Sequence, residues 1–202
     1  FSTDYIFDGL KENSYLEDDS ASPLNVYGKT KLAGEELIKE NCNKYIILRI
    51  GWVMSPHGKN FIKKILDLAS RKDTISVVND QYGTPTSTLM IAETIIRLLE
   101  IYTHKSEDFP FGVYHISASG KTNWYQYCTY LIENVKFSGR KIRLKKDGIV
   151  PISSNDNPSI AKRPMNSTLN TSKFTKTFGF NFPKWEEGVD QTLKKIYELD
   201  HG

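Results

Sequence analysis

The chain has 202 residues, 39% of them hydrophobic and 12% aromatic, which is enough to bury the core of one domain, or of one domain and a lobe. Its 27 basic and 24 acidic residues leave a net charge of +3 with the signs mixed, and no Lys/Arg run is long enough for a nucleic-acid stripe. No apolar run approaches the ~18 residues of a membrane span. The two cysteines, Cys42 and Cys128, match neither a metal pattern nor a disulfide framework, and unpaired thiols suit a reducing, cytoplasmic setting.

Phe1-Ser2-Thr3 reads as the end of a buried strand, and a chain that starts at Phe1 inside such a run is expected to be part of a longer protein. Asp4 to Pro23 is polar and irregular. Asp4 and Asp8 fit loop caps, with ribose contacts as the other reading. Asn25 can cap a helix running to about Asn41. Tyr45 to Ile50 is a nearly continuous apolar run, as expected of a strand covered on both faces in a parallel sheet. Asn60 to Ser70 has the apolar spacing of a helix. Ile75 to Val78 reads as a strand, Ser87 to Ile101 as a helix, Gly112 to Ser117 as a strand, and Thr122 to about Val135 as a helix. Arg140 to Lys146 alternates basic and apolar residues, which predicts a short strand over Ile142–Leu144 with a wet basic face, a phosphate-facing patch being the other reading. Pro151 to Asn170 is Pro/Asn/Ser-rich and expected to be irregular. Two short helices follow, near Thr171–Phe178 and Pro183–Leu199. Alternating strands and helices imply an α/β fold with parallel pairing.

Tyr27 and Lys31 are four residues apart, so on a helix they share a face one turn from each other. A phenol beside an ammonium is a proton donor of adjustable strength, because the positive charge favours the phenolate. Thr3 adds a hydroxyl at a strand end. Such a set can hydrogen-bond a carbonyl while a hydride arrives from elsewhere. No glycine-rich turn between a strand and a helix is present to cradle a dinucleotide pyrophosphate. The four histidines have no ligand spacing, and His115, in an apolar strand, reads as a satisfied core residue.

Longer strings surround these residues. Ser2-Thr3-Asp4-Tyr5-Ile6-Phe7-Asp8-Gly9 is followed by Pro23-Leu24-Asn25-Val26-Tyr27-Gly28-Lys29-Thr30-Lys31-Leu32-Ala33-Gly34-Glu35. Further on come Gly51-Trp52-Val53, Gly58-Lys59-Asn60-Phe61, Asp80-Gln81-Tyr82-Gly83-Thr84-Pro85-Thr86, Asn123-Trp124-Tyr125, Arg163-Pro164-Met165-Asn166-Ser167 and Lys184-Trp185. In combination they resemble the dTDP-4-dehydrorhamnose reductases among the extended short-chain dehydrogenase/reductases. The resemblance runs along essentially the whole chain but covers only the last two-thirds of a typical member.

The resemblance implies the C-terminal part of a Rossmann-like parallel sheet, over about residues 1–55, and a smaller mixed α/β substrate-binding lobe over 56–202, with some segments of it returning to the sheet. It implies reduction of dTDP-4-dehydro-L-rhamnose by NADPH or NADH, in the cytoplasm, with a homodimer compatible. Tyr27 would protonate the C4 oxygen, and Lys31 would tune Tyr27 and hold the nicotinamide ribose. Thr3 would bond the carbonyl oxygen or Tyr27. Ser2 joins Tyr27 and Lys31 on the cofactor side. Trp52 is either a wall for the deoxysugar or a core residue, and Asn60 either a diphosphate donor or a helix cap. Gln81 and Arg163 are candidates for the diphosphate or base, with a surface role open for Arg163. Glu186 and Glu187 lie near positions where some members use acidic residues in Mg2+-mediated dimer contacts, but no metal is carried over. Tyr5 after Asp4, where dehydratases place a second acid, argues against water elimination. Other sugar-nucleotide epimerases or reductases, and a regulatory subunit like that of methionine adenosyltransferase, remain the alternatives.

Overall fold

The computed structural model describes residues 1–135, 141–156 and 161–201. A three-stranded parallel sheet with order β1-β2-β7 anchors the N-terminal region. The strands are β1 (Ser2–Thr3), β2 (Ile46–Ile50) and β7 (Gly112–His115). Ser2 lies opposite Arg49, and Arg49 opposite His115. Three consecutive residues of β2, Ile47, Leu48 and Arg49, are buried, as a central strand covered on both faces requires.

Helix α1 (Val26–Asn41) packs on β1 and on the 3-10 turn Asp4–Ile6 that follows it. Asn25 caps it as expected, its side-chain oxygen accepting from the Gly28 amide at 2.9 Å. Asn60 and Ser87 cap α2 (Phe61–Arg71) and α3 (Thr88–His104) in the same way. Each such cap contributes about 1 kcal/mol.

Beyond β2 the chain builds three two-stranded pairs. These are β3 (Val53–Met54) with β6 (Thr86–Ser87), β4 (Ile75–Val78) with β9 (Ile149–Ile152), and the antiparallel β5 (Tyr82–Gly83) with β8 (Thr122–Asn123). Helix α4 (Trp124–Val135) is the hub, packing on α2, β4, β9 and α6 (Trp185–His201). Its buried Cys128, Leu131 and Ile132 join Ile62, Ile65 and Ala69 of α2 in the main core. Each Leu or Ile buried in this way stabilises by roughly 1.5–3 kcal/mol. Helix α5 (Ser172–Phe178) leans on β7 and ends at Gly179, whose φ of 74° suits only glycine at no cost. No described helix is long and apolar enough to cross a membrane.

Two expectations need correction. Ile142–Leu144 is not a strand. The Arg143 and Leu144 amides both donate to the Ala69 carbonyl, and Arg143 pairs with Asp73 at 2.6 Å. The basic run therefore closes the C-terminal end of α2, where free carbonyls and the helix dipole favour cations. Arg140 lies outside the described residues. The partner of β4 is instead Ile149–Ile152, which the sequence reading placed at the edge of an irregular stretch. Pro151 is tolerated because β9 pairs on one side only.

Candidate functional site

Thr3 ends β1 and starts the 3-10 turn, its Oγ1 accepting from the Tyr5 amide at 3.2 Å. The same hydroxyl donates to Asp4 Oδ1 at 3.0 Å. Asp4 is 2% exposed, and its Oδ2 has no hydrogen-bond donor. It is packed over Gly51, where any side chain would collide with the carboxylate. Burial pushes the Asp4 carboxyl up to about 6, against the opposing pull of the Ser167 and Thr3 hydroxyls. Ser167 donates to the Tyr82 carbonyl at 3.3 Å, so it only faces Asp4.

Helix α1 reaches this turn through Gly28. A Cβ there would stand 2.9 Å from the Pro23 Cβ and closer still to the Tyr5 carbonyl oxygen. The missing side chain lets the first turn of α1 rest directly on Tyr5. Tyr27, one residue earlier, meets the Tyr5 ring edge-on, with centroids 6.1 Å apart and planes at 80°. Tyr27 is 54% exposed, and Lys31 has no ion-pair partner among the described residues. Tyr27 thus meets the turn that follows Thr3, while Thr3 itself bonds Asp4 rather than Tyr27.

Trp52 follows directly on Gly51. Its φ of 45° makes it the one non-glycine residue in the left-handed region among the described residues, a conformation costing about 1–3 kcal/mol. Packing offsets that cost. Its ring stacks on Trp124 at 3.5 Å with planes 6° apart, and Gly83 leaves the room behind it. The Trp52 carbonyl accepts from the Thr86 amide at 3.1 Å. Trp124 also lines a cavity of about 550 Å3, together with Phe61, Lys64, Val78, Gln81 and Arg163 among others. Arg163 also places its charge near Tyr5. Two cations and an amide suited to a diphosphate, Lys64, Arg163 and Gln81, therefore line one cavity beside Trp124.

Segment 161–170 is tied to the start of the chain. The Lys162 carbonyl takes the Asn25 amide at 2.8 Å, and the Asn166 amide bonds the Lys11 and Asn13 carbonyls at 2.7 and 3.1 Å. The chain from Asp8 to Asp19 is tied down from below as well. Asp8 Oδ1 accepts from the Leu10 amide and the Tyr15 hydroxyl, as a loop cap should.

Two of the expected site residues have other work. Asn60 spends its oxygen on the Lys63 amide and its amide hydrogens on the Ser55 and His57 carbonyls. It is the helix cap, with no donor left for a diphosphate. Ser2 is buried, and its hydroxyl helps to hold the Glu35 charge without good hydrogen-bond geometry to any atom. His115 is the satisfied core histidine expected of it, wholly buried with Nδ1 3.1 Å from the Tyr15 carbonyl. Trp124, Lys64 and Ser167 were not singled out from the sequence. The aromatic Trp124-Tyr125 at a helix start was the available signal for the first. Among the described residues no group of three or more His, Cys, Asp or Glu is placed to hold a metal.

The chain is similar in sequence and fold to known proteins. The chain is 41% identical over 197 residues to the dTDP-4-dehydrorhamnose reductase of Salmonella typhimurium, covering 98% of the chain and 64% of that protein. The crystal structure of the reductase from Bacillus anthracis in complex with NADP superposes with a TM-score of 0.84 at 30% identity, over 96% of this chain and 64% of that one. The Clostridium acetobutylicum orthologue gives 0.83 at 32% identity, over 96% and 63%. The chain thus spans a little under two-thirds of the length of these relatives. The model of the RmlD substrate binding domain matches residues 1–198, and the chain belongs to that family.

Proposed function

We propose that the protein containing this chain reduces the 4-keto group of dTDP-4-dehydro-L-rhamnose with NADPH, giving dTDP-L-rhamnose for surface polysaccharide. The observation that carries this reading is the cavity bearing Lys64, Gln81 and Arg163 beside Trp124, whose ring stacks on Trp52, together with the exposed Tyr27 phenol at the turn after Thr3. The cavity fits a nucleoside diphosphate, and Tyr27 a keto-sugar. The relatives named above as reductases support it.

NADPH supplies the hydride when bound. The open Tyr27 phenol and the unpaired Lys31 suit a ribose and its ring neighbour. Tyr27 then gives its proton to the C4 oxygen, a step typically worth ~10²–10⁴-fold. Thr3 orients that oxygen. While Asp4 is ionised, the Thr3 hydrogen is held by Asp4 Oδ1. When Asp4 carries a proton, it can donate to Thr3 Oγ1 and release the Thr3 hydrogen for the ketone. Trp52 closes the sugar's apolar face, and its stack on Trp124 holds it there. Residues 1–55 act as the remaining part of the nucleotide-binding domain and 56–202 mainly as the substrate lobe. The reading places the reaction in the cytoplasm, in keeping with the two free cysteines.

The test is to express the chain with its natural upstream part and follow NADPH oxidation in the presence of dTDP-4-dehydro-L-rhamnose, with the product's stereochemistry read by NMR. Consumption of NADPH with formation of the L-rhamno product supports the reading. An epimerised product, or none, contradicts it.

A further inference from the structure

Lys31 has a carboxylate one helical turn away that it does not use. Glu35 lies at i+4 on the same face of α1, a spacing at which Lys and Glu attract. Glu35 is buried at 2% exposure, so its charge must find a cation. Arg49 of β2 takes both of its oxygens, with Nε donating to Oε1 at 2.9 Å and Nη2 to Oε2 at 2.7 Å. Lys39 adds a looser contact at 3.6 Å. Burial works against the Glu35 charge, but Arg49, Ser2 and Lys39 together hold its carboxyl below the ordinary range.

Arg49 is itself held on every side. Its Nη1 donates to the Glu17 carbonyl at 2.8 Å and sits 3.5 Å from His115 Nε2, and its guanidinium lies 5.5 Å from the centre of the Phe7 ring. His115 donates Nδ1–H to the Tyr15 carbonyl, so Nε2 carries a lone pair toward Arg49. The Glu17 carboxylate accepts the His115 amide at 3.0 Å. The fork therefore cannot swing away from Glu35. It also sits beside Ser2 in the sheet register, next to Thr3.

We infer that Arg49 is a positioning residue for the reaction: by saturating Glu35 it keeps the Lys31 ammonium from being drawn down the helix, free for Tyr27 and the cofactor ribose. This rests on the catalytic reading of Tyr27 and Lys31. The groups facing this cluster are Arg49 and His115 from the sheet, Glu17 from the loop before α1, Lys39 on α1 itself, and Tyr5, which meets Tyr27 edge-on and has the Arg163 charge near it.

The full-length protein carries the test, with NADPH affinity measured directly by nucleotide fluorescence and kcat measured separately. Arg49→Met leaves Glu35 to capture Lys31. It should weaken NADPH binding about tenfold and lower kcat by a similar factor, the scale of one charged hydrogen bond. Adding Glu35→Gln removes the competing carboxylate. The double variant should return both quantities to within about threefold of the parent. A merely structural ion pair predicts loss and rescue of the unfolding midpoint only, with the NADPH affinity of the folded Arg49→Met protein unchanged. Unchanged binding in Arg49→Met, or a double variant no better than the single, overturns the inference. If Arg49→Met does not fold, Arg49→Lys takes its place. One ammonium cannot hold both Glu35 oxygens, so a smaller loss, again reversed by Glu35→Gln, is expected, and no loss overturns the inference. Tyr27→Phe and Lys31→Met are run in parallel. Wild-type rates in these two defeat the catalytic reading itself, whereas their inactivity beside an unresponsive Arg49 defeats only the inference.

Discussion

Two glycines on one helix should respond to alanine with opposite signs. Within a helix, Gly→Ala normally stabilises by ~0.8–1.0 kcal/mol through backbone entropy and propensity. Gly34, where an added Cβ meets nothing within 4 Å, should follow that rule. Gly28 should not. Its Cβ would lie 2.9 Å from the Pro23 Cβ, 3.0 Å from the Tyr5 carbonyl carbon and nearer still to the Tyr5 oxygen. Carbon atoms pack best at roughly 3.5–4.0 Å, so α1 must lift by about 0.5–1 Å or more. Overpacking of this kind costs about 1–3 kcal/mol, and the propensity gain offsets only part of it. The net expectation for Gly28→Ala is a loss of about 1–2 kcal/mol, against a gain of up to about 1 kcal/mol for Gly34→Ala. Urea unfolding of the two variants of the 202-residue chain reads both. If Gly28→Ala is as stable as Gly34→Ala, then α1 does not rest on Tyr5, and the placement of Tyr27 beside Thr3 fails with it.

Two further expectations concern pH. The folded chain binds the Asp4 proton more tightly than the unfolded chain does, with its carboxyl raised from an ordinary 3.8 to about 6. Asp4 therefore favours the folded state fully below pH 3.8, and stability falls as pH rises through 6. At 1.36 kcal/mol per unit the cost at pH 7 is about 3 kcal/mol, and Asp4→Asn should abolish that decline in a pH series of unfolding curves. A variant as pH-dependent as the parent would refute it. His115 acts in the opposite direction. Burial, then the Arg49 charge, pushes it down from 6.5 to about 3, so it stays neutral when folded while the unfolded chain takes up a proton below 6.5. Stability should drop by about 2 kcal/mol between pH 6.5 and pH 5 from this residue, and His115→Asn should remove that drop. An acid midpoint identical in parent and variant would contradict the neutral His115.

The elements that carry their own pattern were legible in the sequence. The apolar run of β2, the one-sided spacing of α2 and the Asn25 cap are local signals, and each stands where it was expected. What was not legible depends on distant chain. β9 pairs with β4 across some seventy residues, and Pro151 within it reads as a breaker unless one edge of the pair is known to be free. The basic run before it alternates like a strand, yet it serves the end of α2 because Ala69 and Asp73 come to it in space. Tyr27, Lys31 and Thr3 stand out as candidates from type and spacing. Asn60 was ambiguous, because the same side chain suits a cap and an anion, and its three hydrogen bonds decide the matter. Asp4 looked like a loop cap. Its burial follows from the close fit over Gly51, which no local pattern encodes. The stack of Trp52 on Trp124 joins residues far apart in sequence.

The most direct test of the central claim is the rate of NADPH-dependent reduction of dTDP-4-dehydro-L-rhamnose by the full-length protein, compared between the parent and Tyr27→Phe. The account predicts that the parent turns over and that loss of the single phenolic oxygen lowers kcat by about 10²-fold or more, with the fold unchanged by circular dichroism. A Tyr27→Phe protein that keeps the parent's rate would contradict it.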